Sequence, residues 1–298
     1  VAQQRTGTRP DATTLIAFAL LVVLAGGNAV GIDIAADELD PFWAASLRFA
    51  VSGLVFAALM AVRRVPLPRG GALLGALLYG AFAFGAAFGI AFVAIPMTGA
   101  GAGQLLLGLV PLLTLLLVPL HRLEPFQPRA VIGSLIALVG VGILAADRIS
   151  LDIPWEGIAL AVLAALLLAE AGVVVKMTPR ADPIGTNAVA MLTGVALLVP
   201  LSWIAGDAWL LPGQPDTWAA MAYLVLAGSV AVFWLFVFVI GRWTASAVSF
   251  EFLLIPMTTV PFSALLTGEV VTPIMLVGGA IILAGVYVGA IMTGRPST

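Results

Sequence analysis

Apolar residues run along this chain in long blocks broken by short polar punctuation. Crossing about 30 Å of hydrocarbon takes roughly 20 residues of helix. Ten blocks approach that length, at residues 14–31, 42–62, 71–95, 101–120, 129–146, 155–176, 184–205, 217–241, 246–266 and 272–293. The pattern predicts an all-α integral membrane protein with ten transmembrane helices. Connections are short and carry the Pro, Gly and Asp expected of turns. The pair of blocks around 71–120 is hinged at Ile95-Pro96-Met97-Thr98-Gly99. The first block reads as a retained helix and not a cleaved signal: no small-residue cleavage site follows it, and Gly26-Gly27-Asn28 continues into similar chain.

Composition points the same way. Of the 298 residues, 62% are hydrophobic and 9% are charged, and the mean hydropathy is +1.15. A soluble domain is about half apolar and a quarter charged. Too little polar surface remains to cover a water-soluble globule, so lipid is the expected solvent and partner of most of the chain.

The blocks also repeat. Pro111, Glu124, Pro128, Gly133, Gly140 and Val141 return 145 residues later as Pro256, Glu269, Pro273, Gly278, Gly285 and Val286. Aligned without gaps, Ala100–Ile143 and Ala245–Val288 share about 13 of 44 residues. The chain therefore reads as two copies of one unit, 1–148 and 149–298, with five spans each. An odd number of spans inserts the second copy upside down relative to the first. Inverted halves packed about an axis in the membrane plane are how secondary transporters build a midplane cavity that opens to either side.

Charge fixes the expected orientation. With the amino terminus inside, the inner segments hold Arg5, Arg9, Arg63, Arg64, Arg69, Arg122, Arg129, Lys176, Arg180, Arg242 and Arg295, nearly all of the 13 basic residues. Arg148 falls outside and Arg48 within a span. This is a positive-inside pattern and puts both termini in the cytoplasm.

Two residue types suggest how the helices meet and bend. Gly71/Gly75, Gly85/Gly89 and Gly285/Gly289 are spaced for close backbone contact in lipid. Pro111 and Pro256 are repeat-related and lie inside the fourth and ninth spans. Each removes a backbone donor and crowds the preceding turn. They are candidate gating or cavity-wall kinks, or simply packing kinks.

Polar residues within spans are costly and so are functional candidates. Arg48 either snorkels outward from the second span or binds a substrate group. Glu170 and Glu251 lie toward the cytoplasmic side, where they either reach water, carry a coupling proton or hold a substrate ammonium. Asn28, Gln104 and Thr114 are neutral hydrogen-bonding candidates. Among the aromatics, Trp43, Trp155, Trp203, Trp209, Trp218 and Trp243 mark span ends, whereas Trp234 lies deep. Eleven residues separate it from Tyr223, almost three helical turns, which predicts a shared face. Tyr79, Phe82, Tyr223 and Trp234 are candidate cavity-lining rings, with lipid or core as the other destination for each. The Phe84, Phe88 and Phe92 stripe is a weaker candidate.

Enzyme chemistry finds no support. There is no cysteine and one histidine, His121, so thiolate metal sites, paired-histidine metal sites and a Ser-His-Asp triad within the membrane are not expected. No phosphate-cradling loop suggests ATP. The basic residues serve orientation and form no nucleic-acid patch. No cofactor is expected.

Ten spans as five plus five resemble the drug/metabolite transporter superfamily, with Pro111 and Glu124, then Pro256 and Glu269, at the end of each fourth span. Leu47-Arg48-Phe49, and Thr98-Gly99-Ala100 with Thr244-Ala245-Ser246 before the paired spans, are similar to its EamA branch. The resemblance implies a proton-coupled or facilitative bacterial inner-membrane exporter of small organic metabolites, commonly amino acids. Within the branch the chain is similar to the aromatic-amino-acid exporters. It departs from the four-span multidrug relatives, which carry a glutamate in their first span where this chain has only Asn28. It also lacks the buried cationic sets of anionic sugar-phosphate exchangers. Efflux of multidrug or cationic compounds stays open as an alternative, as does a passive channel, which would share the helices without needing an inverted repeat.

Overall fold

A computed structural model describes residues 10–98, 100–146, 154–267 and 272–291, and the described residues are helices and short connections without a strand. We number the helical stretches in chain order. They begin with α1 (Ala12–Ala36), α2 (Pro41–Arg63) and α3, which is continuous through Gly71–Tyr79, a π-helical Gly80–Ala87 and Phe88–Thr98. Next come α4 (Ala100–Leu107 and Val110–Leu120), α5 (Pro128–Leu144), α6 (Trp155–Met177) and α7 (Pro183–Ala205). The last three are α8 (Pro215–Val225, a π-helical Leu226–Ala231 and Val232–Ile240), α9 (Ala245–Ser249 and Glu251–Thr267) and α10 (Pro273–Val286 and Tyr287–Ile291).

Eight of these are long and apolar enough to cross a membrane; α4 and α5 supply the shorter apolar helices Leu105–Leu120 and Pro128–Leu144. The protein is thus an all-helical, multi-pass membrane protein. The shortfall from ten full-length helices has local causes. Helix α4 is interrupted by a turn at Gly108-Leu109, so Pro111 sits in the first turn of a restarted helix, where its missing N–H costs nothing. Helix α5 has 17 residues, or about 26 Å of rise.

Helix starts follow from sequence. Proline occupies the first turn of α2, α5, α7, α8 and α10, where its fixed φ is already helical. Asp11, Asp182 and Thr244 accept backbone N–H groups at the starts of α1, α7 and α9, satisfying donors with no intrahelical partner. Helix α7 ends at Gly206 with φ +80°, a left-handed cap that a Cβ would disfavour.

Pairing between helices is regular. Helix α2 packs on α7 and α5 on α10, α1 packs on α8 and α9, and α6 packs on α3 and α4. Advancing each number by five maps this set of partners onto itself. At the α5–α10 crossing a Cβ on Gly133 would meet Gly285 O at 2.6 Å, and one on Gly140 would meet Gly278 O at 2.8 Å. Rising numbers on one helix thus meet falling numbers on the other, so the two run antiparallel with backbones in direct contact. The π-helical stretch of α8 also falls, less 145 residues, inside that of α3.

The other paired glycines pack as well. A Cβ on Gly75 would clash with Thr178, and one on Gly85 would meet Leu197 at 2.6 Å. Phe84 is completely buried within a ring cluster that includes Phe49, Phe88 and Phe233. Trp243 departs from the expected belt: it is buried and meets Phe18 edge-on at 5.4 Å.

Candidate functional site

The predicted polar and aromatic residues separate into two centres. The first joins α1, α2 and α8. Arg48 is almost fully buried, and its Nε donates to Ser229 Oγ at 2.7 Å. Its Nη2 donates to Gly228 O at 2.9 Å and to Asn28 Oδ1 at 3.4 Å. Asn28 Nδ2 donates to the same Gly228 carbonyl at 3.3 Å. The π-helical stretch of α8 presents that carbonyl, and a Cβ on Gly228 would strike the Asn28 amide oxygen. Arg48 therefore does not reach outward; its fixed planar donors join three helices.

The second centre is a small cavity of about 40 Å³, space for a few waters. Tyr79 and Ala83 of α3 line it with Val110 and Thr114 of α4, and α6 contributes Leu168 and Ala169. From the other side come Phe233 and Phe236 of α8, and Ser249 and Glu251 of α9. Both α4 and α9 are interrupted beside it, at Gly108-Leu109 and at Phe250. Tyr79 stacks on Phe236 at 6.0 Å and meets Phe84 edge-on at 5.2 Å. Among the described residues four buried side-chain atoms lack a hydrogen-bond partner, and two of them, Tyr79 OH and Glu251 Oε2, belong to this cavity. Unsatisfied buried polar atoms are rare, and each calls for a water, an ion, a ligand or a functional role to account for it.

Not every candidate joins a centre. Glu170 pairs with His121, Oε1 to Nε2 at 3.2 Å, and is partly exposed. Tyr223 donates its hydroxyl to Leu24 O of α1 at 2.8 Å, over Gly27, whose position admits no Cβ. Trp234 is 37% exposed on the outer surface of α8 and stacks on Phe238 at 5.4 Å. The face predicted for Tyr223 and Trp234 is not shared, because the π-helical Leu226–Ala231 lies between them and shifts the angular register that a 3.6-residue count assumes. Phe82 packs against the α2–α3–α7 core and is not among the residues that line the cavity. Pro256 is buried within α9, six residues past the break at Phe250. The side chain of Gln104 lies outside the described residues, as do Glu269 and Gly99.

Four residues of consequence were not on the sequence-derived site set. Phe233 and Phe236 line the cavity, and only their depth in an apolar run could have suggested it. Glu124 and Lys176 tie the α8–α9 connection on the cavity's basic-loop side. The Glu124 carboxylate accepts Ala245 N at 2.7 Å and Ser246 Oγ at 2.6 Å. Lys176 Nζ donates to the carbonyls of Ile240 at 3.1 Å and Trp243 at 2.5 Å. Glu124 was visible as half of the repeated Pro–Glu pair. At the opposite end, Asp207 Oδ2 accepts Trp43 N at 2.8 Å, Asp40 Oδ2 accepts Ala208 N at 2.7 Å, and Trp43 and Trp209 stack at 5.1 Å. Glu38 accepts Gly213 N at 2.6 Å; these contacts and the Thr217 hydroxyl hold its carboxyl below the usual range, the Thr217 contribution being largest.

Among the described residues no group of three or more His, Asp or Glu side chains is placed to hold a metal.

Comparison with known proteins agrees with the fold. The profile of the EamA-like transporter family matches the chain twice, over residues 12–146 and 155–290. A probable amino-acid metabolite efflux pump of Salmonella typhimurium is 27% identical over 288 residues, which span 91% of this chain and 93% of that protein. A solved structure, described only as the crystal structure of a protein, superposes with a TM-score of 0.80 over 94% of this chain and 97% of the other. Its 17% identity limits that likeness to the fold.

Proposed function

The chain belongs to the EamA-like transporter family, and from that premise we propose that it is a bacterial inner-membrane exporter of small organic metabolites. The proposed substrates are amino acids, including those with aromatic or large apolar side chains. In this reading both termini are cytoplasmic, and two inverted five-helix halves, 1–148 and 149–298, alternate access to a shared cavity. The observation that carries it is the cavity's position. It lies where α3 and α4 meet their repeat counterparts α8 and α9, and the α4 and α9 helices are both broken beside it. Phe250 less 145 falls within one turn of Gly108, and broken helices in corresponding segments of two halves are the usual walls of a transporter's binding site. The self-mapping of helix partners and the antiparallel α5–α10 glycine contact support the inversion. Tyr79, Phe233 and Phe236 supply faces for an aromatic side chain, and the relative's description as an amino-acid metabolite efflux pump supports the substrate class. Gradients supply the free energy, with protons as the proposed coupling ion.

The test is counterflow of labelled phenylalanine, tryptophan and methionine into liposomes holding purified protein. The expected result is transient accumulation that protein-free liposomes do not show. Flux that neither saturates nor shows counterflow would favour a channel, and no flux of any amino acid would remove the substrate assignment.

A further inference from the structure

The chemistry of the cavity is one-sided. Thr114 Oγ1 spends its proton on Val110 O at 2.8 Å, and Ser249 Oγ spends its proton on Ser246 O at 2.8 Å. Each hydroxyl then presents only acceptor lone pairs inward. Glu251 is 5% exposed, and its Oε2 has no partner. The aromatic rings of Tyr79, Phe233 and Phe236 add electron-rich faces, which attract cations. Against these acceptors stands, among the described side chains, one uncommitted donor, the Tyr79 hydroxyl. Among the described residues no lysine or arginine lines the space. Arg48 belongs to the other centre, with its donors placed on Ser229, Gly228 and Asn28. Lys176 donates to Ile240 and Trp243 carbonyls. The carboxylate of an amino acid would find one uncommitted side-chain donor here, whereas an ammonium group would find side-chain acceptors and ring faces on several sides.

We propose that the Tyr79–Glu251 cavity binds the ammonium group of an organic amine, with Glu251 as its counter-ion and the Tyr79, Phe233 and Phe236 rings around it. The proposal rests on the transport reading above and deepens it by saying which end of an amino acid the site holds. At about 40 Å³ the space accepts an ammonium head and not a whole amino acid, so the rest of the substrate needs the broken helices α4 and α9 to part.

Three ligands separate the possibilities: phenylalanine, phenethylamine, which keeps the ammonium alone, and 3-phenylpropionate, which keeps the carboxylate alone. Competition against phenylalanine counterflow should place phenethylamine within about tenfold of phenylalanine, and phenylpropionate at least tenfold weaker, a gap of about 1.4 kcal/mol. Glu251→Gln should lose amine competition by at least tenfold, while Glu170→Gln should keep it. Phenylpropionate competing as well as phenethylamine, or a folded Glu251→Gln protein with unchanged amine competition, overturns the proposal. Thermal shift of the purified wild type and of Tyr79→Phe gives a reading independent of transport and of how Glu251→Gln folds. Phenethylamine should stabilise the wild type more than phenylpropionate does, and Tyr79→Phe, which keeps the ring and loses only the hydroxyl donor, should keep that preference; equal shifts from the two ligands overturn the site. A wild type that is stabilised by the amine yet carries no amino acid would remove the amino-acid assignment and leave the ammonium site standing.

Discussion

The Glu124 carboxylate closes on Ser246 from 122 residues away, accepting its hydroxyl at 2.6 Å with both groups buried. It also takes the backbone N–H of Ala245, so a negative charge sits on the first turn of α9, where the helix dipole favours it. Lys176 holds the other side of the same connection through the carbonyls of Ile240 and Trp243. Glu124→Ala strips both donors of their partner and should cost about 2–3 kcal/mol, read as a lower midpoint of thermal unfolding in detergent. If this tie also holds the basic-loop end shut, a cysteine at Ser249 should label faster from that side in the Glu124→Ala background. An unchanged midpoint together with unchanged labelling would show that the tie does neither.

Gly133 and Gly285 should be equally intolerant. A Cβ on either meets backbone of the other helix at 2.6 Å or less, and backbone cannot rotate aside. Overpacking of this kind costs about 1–3 kcal/mol. Gly133→Ala and Gly285→Ala should therefore lower the unfolding midpoint by similar amounts. A large loss for one and none for the other would argue against a symmetric crossing.

Arg48→Lys should fail to replace arginine. An ammonium cannot match Nε on Ser229 and Nη2 on Gly228 at once, and a lost charged hydrogen bond costs about 1.5–3 kcal/mol. Arg48→Ala should be worse, because the Gly228 carbonyl and the Ser229 hydroxyl lose their charged partner in a dry interior. Folded yield by size-exclusion chromatography measures both. Normal yield for the alanine variant would mean that the three-helix junction is dispensable.

Trp234 and Tyr79 should behave oppositely. Trp234 lies on the exposed face of α8, so Trp234→Ala should change phenylalanine counterflow less than twofold. Tyr79→Ala removes a ring from the cavity wall and should reduce it several-fold to about tenfold, given roughly 0.5–1.5 kcal/mol per oriented ring pair beyond lost area. Threonine shares the ammonium group that the Tyr79 ring is proposed to face, so its flux should fall as well, with phenylalanine losing more only as far as its own ring also meets Tyr79. Losses accompanied by a lower unfolding midpoint would indicate misfolding.

Acid should loosen the end of the molecule that carries Glu38. Its carboxyl is held below the ordinary value by the Thr217 hydroxyl and the N–H groups of Gly213 and Gln214. A carboxyl depressed in the folded state adds stability that is fully present above its unfolded value, about 4.3. That stability is lost as pH falls through the folded value. Hydrogen-exchange protection of the Gly213 and Gln214 amides, corrected for intrinsic rates, should hold from neutral pH to about 5 and fall below the unfolded value. Glu38→Gln should lack that fall. The same pH profile in both proteins would release Glu38 from the role.

Much of the molecule was legible in one dimension. The apolar blocks predicted α2, α6 and α7 to within a residue or two at each end. Prolines stand at the starts of five helices, whereas Pro111 and Pro256, read as kinks inside their spans, did not reveal the α4 and α9 breaks at Gly108-Leu109 and Phe250. Side-chain destinations were harder. Tyr79 and Trp234 looked alike in sequence, as deep aromatics on apolar helices, yet one faces the cavity and the other the outer surface. Glu170 and Glu251 were indistinguishable as intramembrane carboxylates until His121 was found beside the first and no partner beside the second Oε2.

The sequence by itself determined the helical membrane class, the positions of the apolar helices and the family, because hydropathy, proline geometry and motif spacing act locally along the chain. Only the tertiary structure decided which polar groups meet. Rotation of each helix about its own axis is set by its neighbours, through glycine contacts such as Gly133 on Gly285 and Gly228 under Asn28. The π-helical stretches of α3 and α8 then shift the angular count partway along, so a residue's face cannot be read from its number. Arg48 is thereby turned inward onto Ser229, and Glu251 is left facing Tyr79's cavity with an oxygen unpaired.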